Sequence, residues 1–319
     1  MRILLTVLVV FSLIGTSEAK QSTPKKNTPA KQLFGKMKLP AQMKPQSIGG
    51  YAKGCLAGAE ELPEDGPGWQ AMRLSRNRNW GHPELIDFIE RFTEEVKKDG
   101  WQGLLVGDLA QPRGGPMLTG HASHQLGLDA DIWFKEMPTK KLSKKARENI
   151  SAVSMIKSRS KINPKVWQEG HAKNLRRAAS DKYVARIFVH PAIKKAMCDW
   201  SKGQKDRTSW LRKIRPWYGH HYHFHVRLTC PKGDRKCKNQ APPPPGTGCG
   251  KKLAWWLSSK PYRKVVKKKL KPGEKPKKPK KIKKKREMRL ADLPRSCTTV
   301  LKSTAVKQAA VNQMEEPDI

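Results

Sequence analysis

The chain has 319 residues, of which 66 are Lys or Arg and 27 are Asp or Glu, so its formal net charge is +39. Hydrophobic residues make up 37%, which is enough for one or two cores and excludes a protein with many membrane spans. Ten Trp residues exclude a wholly disordered chain, and the charge favours a polyanionic partner without identifying it.

The first residues predict a secretory signal peptide over residues 1–19. Arg2 is followed by a predominantly apolar run over residues 3–14, and Ser17-Glu18-Ala19 matches a small-x-small cleavage site. The alternative is an uncleaved anchor helix, but a bilayer core needs about 20 apolar residues. We therefore expect a periplasmic protein that is not integral to the membrane.

Apolar periodicity predicts the regular elements. Apolar residues recur at helical spacing after Pro83, whereas a stretch ending at Leu228 alternates Tyr, Phe, Val and Leu with His and Arg. In chain order, the predicted elements are a helix over 83–98, strands over 104–106 and 128–134, a helix over 163–179, a strand over 184–189, a short helix over 191–198 and a strand over 222–228.

Composition divides the rest of the chain. After the signal peptide, residues 20–48 hold seven Lys and four Pro and no acid, which predicts an extended, solvated lead-in. Residues 49–257 carry the periodic elements. Residues 258–290 include a run of 17 Lys or Arg against two Glu over 260–289, which predicts a disordered insertion. The segment over residues 291–319 follows and contains Cys297.

Six of the nine His residues lie in two tight groups, GHASHQLGLDAD over 120–131 and GHHYHFHV over 219–226. On the second predicted strand His223 and His225 project from one face, and Asp131 projects with Asp129 from another strand. Two imidazoles and a carboxylate leave a fourth position open, which is the ligand count of a catalytic zinc. The alternatives are a set of surface histidines or a tract that sequesters nickel, but the interleaved apolar residues favour a built site.

These motifs resemble the lysostaphin and D-Ala-D-Ala metallopeptidase group, and within it the penicillin-insensitive murein endopeptidase family. The matching stretches are QPRGGPM over 111–117, GHASHQLGLDADIW over 120–133, and RPW over 215–217 running into HFHVRL over 223–228. The resemblance extends over residues 49–257, with a further match around Cys297.

The resemblance implies a role for each site residue. His124, Asp131 and His225 would bind zinc, and His223 would be the general base or would orient the attacking water. His121 and His220 would line the pocket. We further assign Arg113, whose role the family pattern does not fix, to a substrate carboxylate, since a guanidinium can bind one in bidentate fashion.

The resemblance also implies an α+β fold in which a small antiparallel sheet, flanked by helices, carries the zinc. Six Cys in an exported chain indicate three disulfides, and spacing alone does not choose the pairing. The resemblance implies Cys55–Cys297, Cys198–Cys249 and Cys230–Cys237. One zinc ion is expected, because residues 155–165 offer neither the Asp nor the His that some relatives use for a second metal.

The predicted function is therefore zinc-dependent hydrolysis of peptide cross-links in peptidoglycan, insensitive to penicillin because water is the nucleophile. Two alternatives are a zinc D,D-carboxypeptidase that trims stem peptides and a secreted cationic protein that binds polyanions. The Lys-rich run over 260–289 is expected either to contact anionic surface polymers or to be a solvated segment that only aids solubility, and no nucleic-acid partner is expected.

Overall fold

The computed structural model describes residues 27–262 and 286–305. The predicted α+β class is confirmed, but the sheet is not small and not purely antiparallel. Seven strands form one mixed sheet, in the order β12-β11-β13-β8-β7-β5-β4. The pairs β11–β12 and β5–β7 are parallel, and the other four pairs are antiparallel.

The bounds of the elements within the described residues are as follows. The strands are β1 (Gln46–Gly50), β2 (Lys53–Ala57), β3 (Glu60–Glu61), β4 (Asp65–Gly66), β5 (Trp69–Ala71), β6 (Trp80–Gly81), β7 (Leu104–Val106), β8 (Asp129–Trp133), β9 (Ile156–Ser158), β10 (Lys161–Ile162), β11 (Val184–Val189), β12 (Ile214–Pro216) and β13 (His223–Leu228). The α-helices are α1 (Ala30–Phe34), α2 (Pro83–Lys97), α3 (Lys144–Asn149), α4 (Glu169–Ser180), α5 (Pro191–Trp200), α6 (Arg207–Leu211), α7 (Lys251–Leu257) and α8 (Ser296–Lys302).

All seven predicted elements are present, and the largest difference is at α4. The predicted helix over 163–179 instead begins at Glu169. Its first turn is capped by His171, whose Nδ1 accepts a hydrogen bond of 3.0 Å from the backbone N–H of Gln168. The preceding residues form a separate turn, in which the N–H of Val166 donates to the carbonyl of Asn163. This local capping shortens the helix.

The main core lies between the sheet and α2, α4 and α5. Helix α2 begins after His82, whose side chain accepts from the N–H of Glu84, and has Pro83 at its first position. Leu85, Ile89, Phe92 and Val96 are buried; this is one face of the helix, and it covers the sheet. The alternating apolar residues of β8 and β13 face this core and hold the two strands in register.

A second core joins the two ends of the described chain. Helix α1 buries Leu33 and Phe34 against β1, β2 and α8. The prediction of an extended, solvated lead-in is therefore wrong for its described part from Ala30 onwards. The Lys residues of this stretch suggested solvation, but apolar residues between them pack against α8, which is more than 250 residues away in sequence.

The three predicted disulfides, Cys55–Cys297, Cys198–Cys249 and Cys230–Cys237, are confirmed. The first ties β2 to α8, across the second core. The predicted signal peptide over 1–19 lies outside the described residues, as does most of the predicted insertion. Among the helices that are described, none is both long and apolar enough to cross a membrane.

Candidate metal centre

The site is built on the two central strands of the large sheet, β8 and β13. Their antiparallel register places His225 opposite Asp131 and Arg227 opposite Asp129. Directly opposed residues project from the same face, so the polar side chains of both strands share one side of the sheet, away from the main core.

His124 reaches the same face from the turn that precedes β8. Its backbone has a φ of +63°, an unusual conformation for a residue with a Cβ. Its N–H donates to Asp129 Oδ2 at 2.9 Å, and its Nδ1 donates to the carbonyl of Leu109 at 2.7 Å. Gly127, at φ +68°, lets the turn close, because a Cβ there would lie 2.7 Å from the backbone N of His82. These contacts direct Nε2 of His124 towards β13.

Three donor atoms converge at this point. His124 Nε2 lies 3.2 Å from His225 Nδ1 and 3.4 Å from Asp131 Oδ1, and His225 Nδ1 lies 3.2 Å from Asp131 Oδ1. Zinc with tetrahedral bonds of about 2.0–2.1 Å separates its ligand atoms by roughly 3.3 Å. The spacing of the three atoms therefore fits a zinc-sized cation.

The hydrogen bonds around these atoms also favour a cation. His225 Nε2 donates to Asp129 Oδ1 at 2.9 Å, and His124 uses Nδ1 to donate to Leu109. These bonds leave His124 Nε2 and His225 Nδ1 facing each other and Asp131 Oδ1. Burial opposes protonation of His225, but Asp129 and Asp131 raise its pKa overall, so the surroundings of this ring favour positive charge. Within the described part of the chain, the buried Asp131 Oδ1 has no hydrogen-bond donor. A bound metal ion would satisfy all three atoms.

Asp129 and Arg227 form a supporting layer behind His225. Arg227 donates to both oxygens of Asp129, at 2.7 and 3.2 Å, and lies over the Tyr51 ring at 4.3 Å. Burial opposes ionisation of Asp129, but Arg227 and His225 hold the pKa of this carboxyl well below its usual range. A carboxylate bonded to the far nitrogen of a ligating imidazole fixes the ring and its tautomer.

His121 lies on the other side of Asp131, beside a cavity of about 330 Å³. Its Nε2 is 3.5 Å from Asp131 Oδ2 and 3.0 Å from Asp108 Oδ2. His121, His124 and Asp131 bring ligand atoms within 4.8 Å of one another, a group that could hold a metal ion. Although burial opposes ionisation, hydrogen bonds from His121 and Arg78 keep the pKa of Asp108 well below its usual range.

His223 and His220 lie close to the three convergent donor atoms but are not part of that group. His223 Nε2 lies 3.5 Å from Asp131 Oδ2, and its ring lines the cavity. Burial lowers the pKa of His223, against the opposing charge of Asp131. The His220 ring lies 5.0 Å from that of His223, and burial lowers the pKa of His220 to about 3. Both imidazoles are therefore neutral near pH 7.

The comparison with known protein families agrees with this architecture. The sequence profile described as penicillin-insensitive murein endopeptidase matches residues 47–302. The chain belongs to the penicillin-insensitive murein endopeptidase family. All the site residues described above, from Asp108 to Arg227, lie within the matched range.

Individual members of the penicillin-insensitive murein endopeptidase family are similar to this chain over most of their own length. The chain is 44% identical to the penicillin-insensitive murein endopeptidase of Haemophilus influenzae over 232 residues, which cover 72% of this chain and 80% of the relative. It is 40% identical to that of Klebsiella pneumoniae over 253 residues, which cover 79% of this chain and 88% of the relative. The relative from Pectobacterium atrosepticum is 40% identical over 232 residues, which cover 72% of this chain and 81% of the relative.

Arg113 lies within the range matched by the family, but not in the site. It is buried, and its guanidinium donates to the carbonyls of Leu39, Val300, Leu301 and Ser303. These bonds tie α8 to the body of the protein and leave the side chain facing away from the cavity residues. The prediction that Arg113 binds a substrate carboxylate is therefore wrong.

Sequence reasoning missed the roles of Asp108 and Arg227. Arg227 continues the alternation of His223 and His225 on β13, so strand periodicity placed it on the correct face. Asp108 comes two residues after the buried strand β7, where a polar side chain commonly faces a site at a strand end. Asp129 was placed beside Asp131, but its bond to His225 depends on the pairing of two strands that are distant in sequence.

Proposed function

We propose that this protein is a zinc-dependent murein endopeptidase that hydrolyses peptide cross-links of peptidoglycan and is insensitive to penicillin. The observation that carries the proposal is the convergence of His124 Nε2, Asp131 Oδ1 and His225 Nδ1 at 3.2–3.4 Å from one another. Membership of the family and the names of its relatives supply the substrate class.

His124, Asp131 and His225 would hold the zinc ion, as the resemblance implied. When bound, zinc supplies a Lewis acid that polarises an amide carbonyl and makes water a nucleophile near neutral pH. One ion suffices for this proposal. His121 remains a residue of the pocket, held by Asp108 and aimed at Asp131.

His223 is the proposed proton acceptor. It lies beside Asp131, lines the cavity in which an amide would be bound, and has a lowered pKa because of burial. A neutral imidazole at this position can take a proton from an attacking water and return it to the leaving amine. His220, whose ring is 5.0 Å away, would restrict the orientation of His223.

Insensitivity to penicillin follows from the type of nucleophile. β-Lactams inactivate enzymes whose serine hydroxyl they acylate, whereas the proposed reaction uses water. Ser123 lies within the first His motif, but no Lys follows it at the third position. Penicillin should therefore leave the rate of cross-link hydrolysis unchanged.

The test is a digest of a purified cross-linked muropeptide dimer, followed by mass spectrometry, with and without a zinc chelator. Conversion to two monomers that stops with chelator and returns with zinc is the expected result, and the fragment masses locate the bond. Loss of a terminal D-Ala alone would replace the proposal by a D,D-carboxypeptidase. An intact dimer would favour a cationic polyanion-binding protein.

The location of the enzyme and its attachment to surfaces are proposed from separate features of the chain. Periplasmic location is proposed from the predicted signal peptide, the three disulfides and the cell-wall substrate named for the relatives. The 17 Lys or Arg of residues 260–289 are proposed to hold the enzyme on anionic polymers. Deleting residues 263–285, which hold 14 of these 17 and leave the second core intact, should not change hydrolysis of small soluble muropeptides. A large loss on that substrate would contradict a purely adhesive role.

A further inference from the structure

An aromatic cluster lies on the surface next to the site. It consists of Trp217 and Tyr218, which follow β12, and of Trp255 and Trp256 on α7. Trp217 and Trp255 are 53% and 46% exposed, and they are the only exposed tryptophans in the described part of the chain. The Trp256 ring lies 4.6–5.9 Å from the other three rings, so the four form one contiguous surface.

The cluster is rigidly attached to the body of the protein. The Cys198–Cys249 disulfide holds the chain just before α7, and Leu253 of that helix is buried in the main core. At the other side, the backbone N–H of Trp217 donates to the carbonyl of Val189 at 2.8 Å. Large apolar rings held in this way on a surface usually mark a binding site, because exposure of such rings is otherwise unfavourable.

Distances place the cluster within reach of a substrate bound at the metal centre. The Trp217 ring is 6.0 Å from Phe188, and the Phe188 ring is 5.3 Å from His225. The carbonyl of Tyr218 accepts a hydrogen bond of 2.7 Å from His220 Nδ1. A molecule whose reacting part lies at His225 can therefore extend over Trp217.

A groove of about 450 Å³ runs beside Trp255 and Trp256. Its other lining residues include Arg215, Lys251 and Lys252, and none of the described residues lining it is acidic. This charge disfavours residues 263–285 of the same chain as the occupant, because they hold 14 Lys or Arg against one Glu. It equally disfavours a second copy of a chain with a net charge of +39. The occupant should combine apolar faces with negative charge.

We propose that the aromatic cluster binds the saccharide backbone of the peptidoglycan strand whose peptide occupies the metal site. This inference rests on the proposed function for the identity of the substrate. One face of a pyranose ring carries C–H groups of partial positive charge, which pack on the negative face of an indole. Arg215, Lys251 and Lys252 would then bind carboxylates of the stem peptides.

The test compares two cross-linked dimers with the same peptides, one bearing disaccharides and one without sugar. Trp217→Ala and Trp255→Ala should each lower kcat/KM on the sugar-bearing dimer by about fivefold or more, chiefly through KM. Neither variant should change kcat/KM on the sugar-free dimer. Met43→Ala, which removes a side chain that is 38% exposed in the segment between α1 and β1, is the matched control and should change neither. Equal losses on both dimers in the Trp variants would overturn the proposal.

A binding experiment separates this inference from the proposed function. Calorimetric titration of the full chain with a β-1,4-linked N-acetylglucosamine tetramer needs no hydrolysis. Trp255→Ala should weaken this binding and Trp255→Phe, which keeps a ring, should restore most of it. If the wild type cleaves neither dimer, the proposed function fails, and the tetramer titration still decides the role of the cluster. Equal affinity of the wild type and Trp255→Ala for the tetramer would overturn the proposal that the cluster binds saccharide. Binding of the tetramer only after deletion of residues 263–285 would also overturn it, because the cluster would then not be free in the full chain.

Discussion

Asp129 accepts a hydrogen bond of 2.9 Å from His225 Nε2, and this bond leaves Nδ1 of His225 facing Asp131 Oδ1 at 3.2 Å. The two carboxylates therefore contact opposite nitrogens of one imidazole. Asp129 is fully buried and shares both its oxygens with Arg227. The orientation of the proposed ligand His225 thus depends on a residue that does not itself point at the convergent atoms.

Asp129→Asn should weaken zinc binding by about 10–100-fold, because an amide does not hold the His225 tautomer as a carboxylate does. Competition of the variant with a chromogenic chelator measures this affinity directly. Asp87→Asn, which makes the same change at an exposed position of α2, is the matched control. Unchanged zinc affinity in Asp129→Asn would show that the bond to His225 has no part in holding the metal.

His225→Ala and His223→Ala should have different consequences. His225→Ala should lose bound zinc and activity together, since it removes one of three convergent donors. His223→Ala should keep its zinc and lose about 10²–10⁴-fold in turnover, as expected for removal of a general base. Metal analysis of each purified variant, alongside the muropeptide assay, distinguishes the two. Loss of zinc from His223→Ala would reverse the proposed roles of ligand and base.

Arg113→Met should destabilise the protein by about 2–4 kcal/mol, because several buried carbonyls lose their donor. Urea unfolding gives the free energy, and Arg235→Met, at an exposed position, is the control and should change it little. The fraction of Arg113→Met that remains folded should show an unaltered KM for the muropeptide dimer. A raised KM at full stability would instead restore the role of Arg113 in substrate binding.

The stability of the metal-free protein should depend on the titration of His190. Burial, followed by the charge of His221, lowers the pKa of His190 to about 4, whereas an unfolded chain gives about 6.5. Between these values the unfolded state binds more protons, so stability falls as the pH falls from about 6.5 to 4.

The variant His190→Asn should keep an acceptor for the N–H of Ala192, the bond by which His190 caps α5, while removing this titration. The free energy of urea unfolding should therefore vary less with pH in the variant than in the wild type over this range. Identical pH dependence of the two proteins would show that His190 ionises alike in the folded and unfolded states.

Local patterns in the sequence predicted the elements that carry the site. The alternation around His223 and the helical spacing after Pro83 correspond to β13 and α2. The full width of the sheet was not predictable, because β4 and β5 are two and three residues long and have no periodicity to detect. Arg113 was misassigned because its partners lie nearly 190 residues away in sequence.

The second core has a consequence for the order in which the protein can fold. Helix α1 and the β1–β2 hairpin belong to the first part of the described chain, yet their apolar side chains share a core with Leu293 and α8, and Cys55 is bonded to Cys297 of that helix. During synthesis from the N-terminus, this part of the second core would stay incomplete until residues 288–301 had been made. Closure of this core should therefore be a late step in folding. A chain truncated before Ser296 should keep Cys55 as a free thiol and expose apolar residues of the second core, which are features that chaperones and proteases recognise.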